Sequence, residues 1–242
     1  VSAAASALNQ WWEIRWDRRM RRTRERPLAA ARISARGALI YSALTCAGGL
    51  FLLIRFTHPL AALLAFTTLV TYLLVYTPLK RKLTLNTLVG AVPGALPPLI
   101  GWAAATGGLA PEAWILFGIL FAWQVPHFLA IAWLHRSDYS RGGFQMLPVI
   151  DPSGERTARM VTLYSLSMVP VSLAPALAGL SGWIYLIAAL LLGSGFFLCA
   201  LLFERRPTRA TARRLYLASL AYLPLLFTVM IVDPTVPRPL FP

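Results

Sequence analysis

Apolar residues gather along this chain into runs of about 20, separated by short polar stretches. The runs fall at 1–16 (a partial one), 37–56, 59–77, 86–105, 112–135, 160–179, 182–203 and 214–232. A helix of that length crosses a hydrocarbon core of about 30 Å. Lipid offers no water to backbone amides, so only helices or closed barrels cross it, and these runs are too long for barrel strands. The pattern predicts an all-α polytopic membrane protein, with seven complete spans and the end of an eighth. No soluble domain interrupts it, and residues 1–242 read as a single transmembrane domain.

Polar positions that break the apolar pattern are the informative ones. Asn9, Glu13 and Asp17 recur every fourth residue after the small apolar run Val1–Leu8, a spacing that puts all three on one helix face. Prolines stand inside several spans, at Pro93, Pro97, Pro98, Pro126, Pro170, Pro175 and Pro224. Each removes a backbone hydrogen bond, and a membrane bundle tolerates that where neighbours re-satisfy the freed group. The run from Gly90 to Pro98, with Pro93 and Gly94 inside it, predicts a broken or close-packed helix that forms a cavity wall or a tight helix contact.

Composition agrees with the pattern. Hydrophobic residues make up 57% and charged ones 13%, against about 25% charged in soluble domains. The formal net charge of +14 raises the question of nucleic acid. Its distribution answers differently: all but two of the 23 basic residues lie in 13–36, 78–85, 135–159 and 204–214, leaving Arg55 and Arg238 for the other side. The charge is a topology signal that places the basic loops in the cytoplasm, or in the matrix of a mitochondrion, and calls for no nucleic-acid partner. Cys46 and Cys199 sit in apolar runs without metal-ligand spacing and read as buried structural residues. Trp102, Trp114, Trp183 and Tyr185 read as interface anchors or packing residues.

Three stretches can carry chemistry. In the first, the Asn9/Glu13/Asp17 face supplies the oxygen donors that a hard divalent cation prefers, and Arg22 and Arg26 follow with guanidinium groups suited to phosphate. The alternative is a juxtamembrane loop whose acids form incidental i,i+4 ion pairs. In the second, Tyr76-Thr-Pro-Leu-Lys80-Arg81-Lys82 joins two spans; Lys80 and Arg81 suit a pyrophosphate group, or else serve topology alone. In the third, Trp123-Gln-Val-Pro-His127-Phe128 leads through His135 to Asp138 and Tyr139. An ionisable side chain such as His127 within a span is a functional candidate, against the alternative of a neutral histidine bonded to a neighbouring helix. Asp138 stands where a further metal or phosphate ligand is needed, or is an exposed loop acid.

Taken together these stretches resemble the intramembrane UbiA-type prenyltransferase superfamily, and more narrowly its heme-modifying branch. The residues that carry the resemblance are Ala7–Gln10 through Glu13, Asp17 and Met20 to Arg22-Thr23 and Arg26-Pro27-Leu28. They continue with Tyr76-Thr77 through Leu79–Arg81, Thr84, Asn86-Thr87, Gly90, Gly94-Ala95 and Pro97-Pro98 to Gly101-Trp102. The last block is Trp123-Gln124 and Pro126–Phe128 through Trp133, Asp138-Tyr139 and Gly142 to Met146–Val149. The resemblance implies nine helices around a central cavity, of which this chain would lack the first and part of the second.

It further implies a magnesium (Mg2+) ion held by Asn9, Glu13, Asp17 and Asp138, and a diphosphate bound by Arg22, Arg26, Lys80 and Arg81. Asp17, Tyr76, His127 and Asp138 would be the catalytic residues, with His127 assigned to the heme iron or to proton transfer. Two departures stand out. The superfamily's second paired-aspartate motif is represented only by Asp138, followed by Tyr139, and Trp16 is bulkier than the position before Asp17 usually carries. The implied reaction moves a farnesyl group from farnesyl diphosphate to a vinyl group of heme b, giving heme O for heme–copper terminal oxidases. The implied setting is the bacterial inner membrane or the mitochondrial inner membrane. Implied partners are the lipid bilayer, heme A synthase or oxidase assembly factors. The rival readings are a prenyltransferase of an aromatic quinone precursor and, in another class, a membrane transporter or structural subunit.

Overall fold

The computed structural model describes residues 1–235; Arg238 lies outside the described residues. All regular structure in them is helical. The long elements are α1 (Ser2–Asp17), α2 (Ala35–Phe56), α3 (Pro59–Leu79), α4 (Asn86–Thr106) and α5 (Pro111–Leu134). After them come two short helices, α6 (Arg136–Arg141) and α7 (Leu147–Ile150), and then α8 (Glu155–Leu177), α9 (Trp183–Arg205) and α10 (Arg209–Val232). Seven of these, α2 to α5 and α8 to α10, are long and apolar enough to cross a membrane, as the hydropathy pattern predicts, and the chain is an integral membrane protein. The helices α8 and α10 begin five residues before their apolar runs. Their first turns are polar but capped: Asp151 accepts hydrogen bonds from the Thr157 amide and hydroxyl, both at 2.8 Å, and Thr208 forms a capping box with Thr211.

Large apolar side chains cover the outside of the helices as well as the core. Leu44, Phe51, Ile54, Leu177 and Trp183 are exposed, whereas the buried sides carry Ala61, Ala62, Ala65, Ser165 and Ser172. Small residues let helices approach closely where lipid removes the hydrophobic drive to associate. Cys46 and Cys199 are free thiols and half-exposed rather than buried. The two tryptophans Trp114 and Trp183 face outward, but Tyr185 is fully buried, its hydroxyl donating to the Ser172 carbonyl at 2.9 Å.

The chain divides into two compact units, residues 1–109 with 135–150 and residues 110–134 with 151–242. In the first, α1 packs on α2, α2 on α3 and α3 on α4. Two irregularities shape this unit. Residues Thr71–Tyr76 of α3 form a π-helical segment. The helix α4 breaks at Leu96 into Asn86–Ala95 and Pro97–Thr106, so Pro97 and Pro98 open a fresh helix, where a missing amide proton costs nothing. The second unit is a four-helix ring: α8 packs on α5 and α9, and α10 on α9 and α5. At its loops, Gly154 has φ of +83°, and a methyl there would come within 2.5 Å of the Trp133 ring.

The close-packed reading of the Gly90 region also holds, since a methyl group built on Gly90 would lie 2.5 Å from the Tyr76 ring. Gly90→Ala should therefore destabilise the protein by about 1–3 kcal/mol through overpacking. Gly101→Ala, with open space around it, should be neutral or slightly stabilising; thermal unfolding in detergent compares the two. The Asp151 carboxyl is pushed up by burial, but the bonds from Thr157, Ser153 and Gly154 outweigh that and hold it below the ordinary carboxylate value. Its contribution to stability is present above the unfolded carboxylate pKa of about 4 and is lost as pH falls through the lower folded value. Asp151→Asn should cost about 1 kcal/mol at neutral pH and flatten the acid limb of the unfolding profile.

Candidate functional site

The helix α1 turns an unusual face inward. Its buried residues are Ala4, Asn9, Glu13 and Asp17, so the period-four row is the packed face of the helix. Opposite stands the end of α3. The Lys80 ammonium lies 3.1 Å from Asn9 Oδ1, 3.2 Å from Glu13 Oε2 and 3.0 Å from Glu13 Oε1. The Asn9 amide donates to Glu13 Oε2 at 3.0 Å, and the Thr77 hydroxyl donates to Asn9 Oδ1 at 3.1 Å. Glu13 Oε1 is close to Lys80 but out of line for a hydrogen bond, and it is buried without any other partner among the described residues. Three oxygens therefore converge on one cationic centre. Tyr76 and Tyr72 roof it, their ring centroids 4.8 and 5.9 Å from the ammonium. Burial lowers the Lys80 pKa below its ordinary value, with Glu13 opposing.

The π-segment precedes this cluster directly. Its widened turn sends the Thr77 amide to the Tyr72 carbonyl and sets the Tyr72 and Tyr76 rings 5.6 Å apart. Such segments concentrate at functional sites. One turn along α1, Asp17 is almost completely buried, and Arg26 Nη1 donates to both of its oxygens at 3.2 and 3.0 Å. Thr23 closes the intervening turn by donating to the Asp17 carbonyl at 3.0 Å.

The remaining candidates of this unit gather behind α1. Asp138, in the first turn of α6, accepts from the Arg21 amide at 3.3 Å and pairs with Arg141. Burial raises its pKa, but the Arg141 and Arg21 hydrogen bonds outweigh that and hold it below the ordinary carboxylate value. Arg22 donates to the Tyr139 hydroxyl at 2.9 Å and lies over its ring. The Arg81 guanidinium lies 3.7 Å from the Trp16 ring centroid, which gives the bulky Trp16 a role as a shelf for that cation. Of the four basic candidates, Lys80 and Arg26 are engaged with carboxylates, while Arg22 and Arg81 rest on aromatic rings. The loop holding Lys80 is pinned by Asn86, which donates to the Leu83 and Gln145 carbonyls, and by the Gln145 amide, which donates to the Lys80 carbonyl at 2.9 Å.

His127 belongs to the second unit. It is buried on α5, stacked on Trp123 with centroids 4.5 Å apart, and its Nδ1 lies 2.7 Å from Ser219 Oγ on α10. Ser219 gives its one proton to the Tyr216 carbonyl at 2.6 Å. Nδ1 must then carry the hydrogen and donate, which leaves the lone pair on Nε2.

Sequence reasoning passed over Tyr72, Arg141 and Ser219. Tyr72 lies one turn from Tyr76 and was within reach of helical spacing. Ser219 is 92 residues from His127 and has no local signal.

The profile of the UbiA prenyltransferase family matches residues 1–226. A protein of Solibacter usitatus named protoheme IX farnesyltransferase is 45% identical over 233 residues, which cover 96% of this chain and 80% of that one. One of the same name from Opitutus terrae is 46% identical over 237 residues, with 96% and 80% covered. Among solved structures, a digeranylgeranylglyceryl phosphate synthase superposes with a TM-score of 0.75 at 19% identity, covering 95% of this chain and 80% of that one, a likeness of fold. The buried Asn9/Glu13/Asp17 face, the helical architecture and these matches agree: the chain belongs to the UbiA prenyltransferase family.

Proposed function

We propose that this protein transfers a farnesyl group from farnesyl diphosphate to a vinyl carbon of heme b, forming heme O. The observation that carries the reading is identity of 45–46% across 96% of the chain to relatives named for that reaction. The cluster around Lys80 supports it by offering what a diphosphate leaving group needs.

Magnesium is tested by the donor set. The orphaned Glu13 Oε1 and the convergence of Asn9 Oδ1 with both Glu13 oxygens on one cation suit a hard divalent ion. Among the described residues no group of three His, Cys, Asp or Glu is placed to hold a metal unaided. Magnesium ordinarily completes its shell with water and substrate phosphate, so the fit is to a shared site. Asn9 and Glu13 would hold the ion, with Asp17 one turn away and Asp138 on α6 as further carboxylates. An ion held there would supply positive charge to offset the charge of the diphosphate.

The protein's own groups do the rest. Arg26, Lys80, Arg22 and Arg81 are the cations that would bind the diphosphate and stabilise the negative charge that grows on its bridging oxygen. As the allylic C–O bond breaks, its electron pair leaves with the diphosphate and a farnesyl cation remains. The Tyr76 ring offers its face to that cation, and the apolar surroundings keep water from quenching it early. A vinyl carbon of heme b attacks, and water adds to the resulting porphyrin-side cation and loses a proton. The Nε2 lone pair of His127 suits heme iron or that proton. On the positive-inside rule the diphosphate end would face the cytoplasmic or matrix side.

Membranes containing the protein, supplied with farnesyl diphosphate and heme b, should yield a pigment heavier by a farnesyl group and one hydroxyl group. 4-Hydroxybenzoate offered instead should remain unprenylated. Prenylation of the aromatic acid alone would favour the quinone-precursor reading, and neither product would favour a transporter or structural subunit. Asp17→Asn and Glu13→Gln should each lower the rate of heme farnesylation about 100-fold or more. Chelation with EDTA should stop it, and magnesium should restore it; full activity after exhaustive chelation would remove the metal from the mechanism.

A further inference from the structure

In the first unit each carboxylate at the site already has a cation of its own. Glu13 is paired with Lys80 at 3.0 Å and Asp17 with Arg26 at 3.0 Å; Asp138 is paired with Arg141. The first two carboxylates are buried, where charges interact strongly. The three carboxylates are therefore already neutralised, and Arg22 and Arg81, which rest on aromatic rings, leave an excess of positive charge. The Lys80 ammonium also occupies the point on which Asn9 Oδ1 and both Glu13 oxygens converge, the point a divalent ion would need.

Two consequences follow for a divalent cation arriving alone. It meets an occupied donor set, and it places a double positive charge beside Lys80 and Arg26 without any new negative charge. A cation arriving on a diphosphate is different. A prenyl diphosphate carries more negative charge than one divalent ion cancels, so the pair brings an anion. Lys80 can then exchange Glu13 for phosphate oxygen and stay neutralised. Its stem is anchored for such a swing, because the Lys80 carbonyl is held by the Gln145 amide at 2.9 Å while only the side chain has to move.

The geometry points to Lys80 as a resident placeholder cation that keeps the Asn9/Glu13 oxygens closed to free divalent ions and yields them to a metal–diphosphate pair. The inference rests on the magnesium reading above and adds an order to it: metal and diphosphate enter together, and Lys80 is a positioning residue that changes partner when they do.

Binding of Mn2+ to the purified full chain in detergent, read by electron paramagnetic resonance, separates the possibilities. The wild-type protein should bind Mn2+ weakly alone and at least about tenfold more tightly with inorganic pyrophosphate present. Lys80→Met should bind Mn2+ alone about tenfold or more tightly than wild type and should lose most of the gain from pyrophosphate. Lys80→Gln, which keeps a hydrogen-bond donor without the charge, should behave like Lys80→Met, and Lys80→Arg like wild type. Unchanged Mn2+ affinity in both neutral variants, with pyrophosphate-dependent binding intact, would overturn the placeholder role and leave the magnesium reading standing. Absence of Mn2+ binding to every form, pyrophosphate included, would overturn the magnesium reading and the placeholder with it.

Discussion

The arrangement of the first unit depends on one buried contact, the ammonium of Lys80 held among Asn9 Oδ1 and the two oxygens of Glu13. A carboxylate or an ammonium alone in an apolar interior costs several kcal/mol, and the pair is tolerable only with good geometry and further hydrogen bonds. Asn9 and Thr77 supply those bonds, and the Tyr76 and Tyr72 rings cover the cation. The contact forces α1 to turn its polar face inward against α3. That in turn sets where Asp17 lies and which side of the following loop can bring Arg26 to it. Such pairs are weak as sources of net stability and strong as constraints on register, because breaking one leaves an uncompensated charge behind.

The second unit shows how a lipid-embedded ring of helices is specified without such charges. Its interior combines large apolar side chains such as Ile119, Leu129, Met168 and Phe203 with small residues and with hydroxyls that return to backbone carbonyls, as Ser172 does to Met168 and Tyr185 does to Ser172. His127 fits the same economy of donors. Its imidazole is oriented by Ser219, whose own proton goes to the Tyr216 carbonyl.

Much of this was legible in the sequence, for a physical reason. Hydrocarbon thickness imposes a length on every span, so seven helices could be read from apolar runs alone, and a four-residue period is sufficient to put Asn9, Glu13 and Asp17 on one face. Helix ends were less legible, because α8 and α10 extend through polar turns whose caps, Asp151 and Thr208, do not register in hydropathy. Partner choice was not legible. Nothing local says that Lys80 meets Glu13, that Arg81 lies on Trp16 or that Ser219 orients His127; these pairings exist only once distant segments are packed. The bulk of Trp16 appears as a departure from the family pattern until the Arg81 guanidinium is placed on it.

The π-helical segment Thr71–Tyr76 has a consequence for the phase of α3. At about 100° per residue, the eight steps from Leu69 to Thr77 would leave Thr77 about 80° away from the buried side that Leu69 occupies. The wider turn absorbs one residue, so those eight steps count as about seven, close to two full turns. Leu69 and Thr77 are both buried as a result. The segment works as a clutch between the lipid-spanning half of α3 and its terminal turn. Ordinary α-helix through the segment with every residue kept would rotate Thr77 and Lys80 together by about 100° away from α1 and take the cation from Glu13, whereas deleting one residue of the segment would give ordinary α-helix and keep their phase.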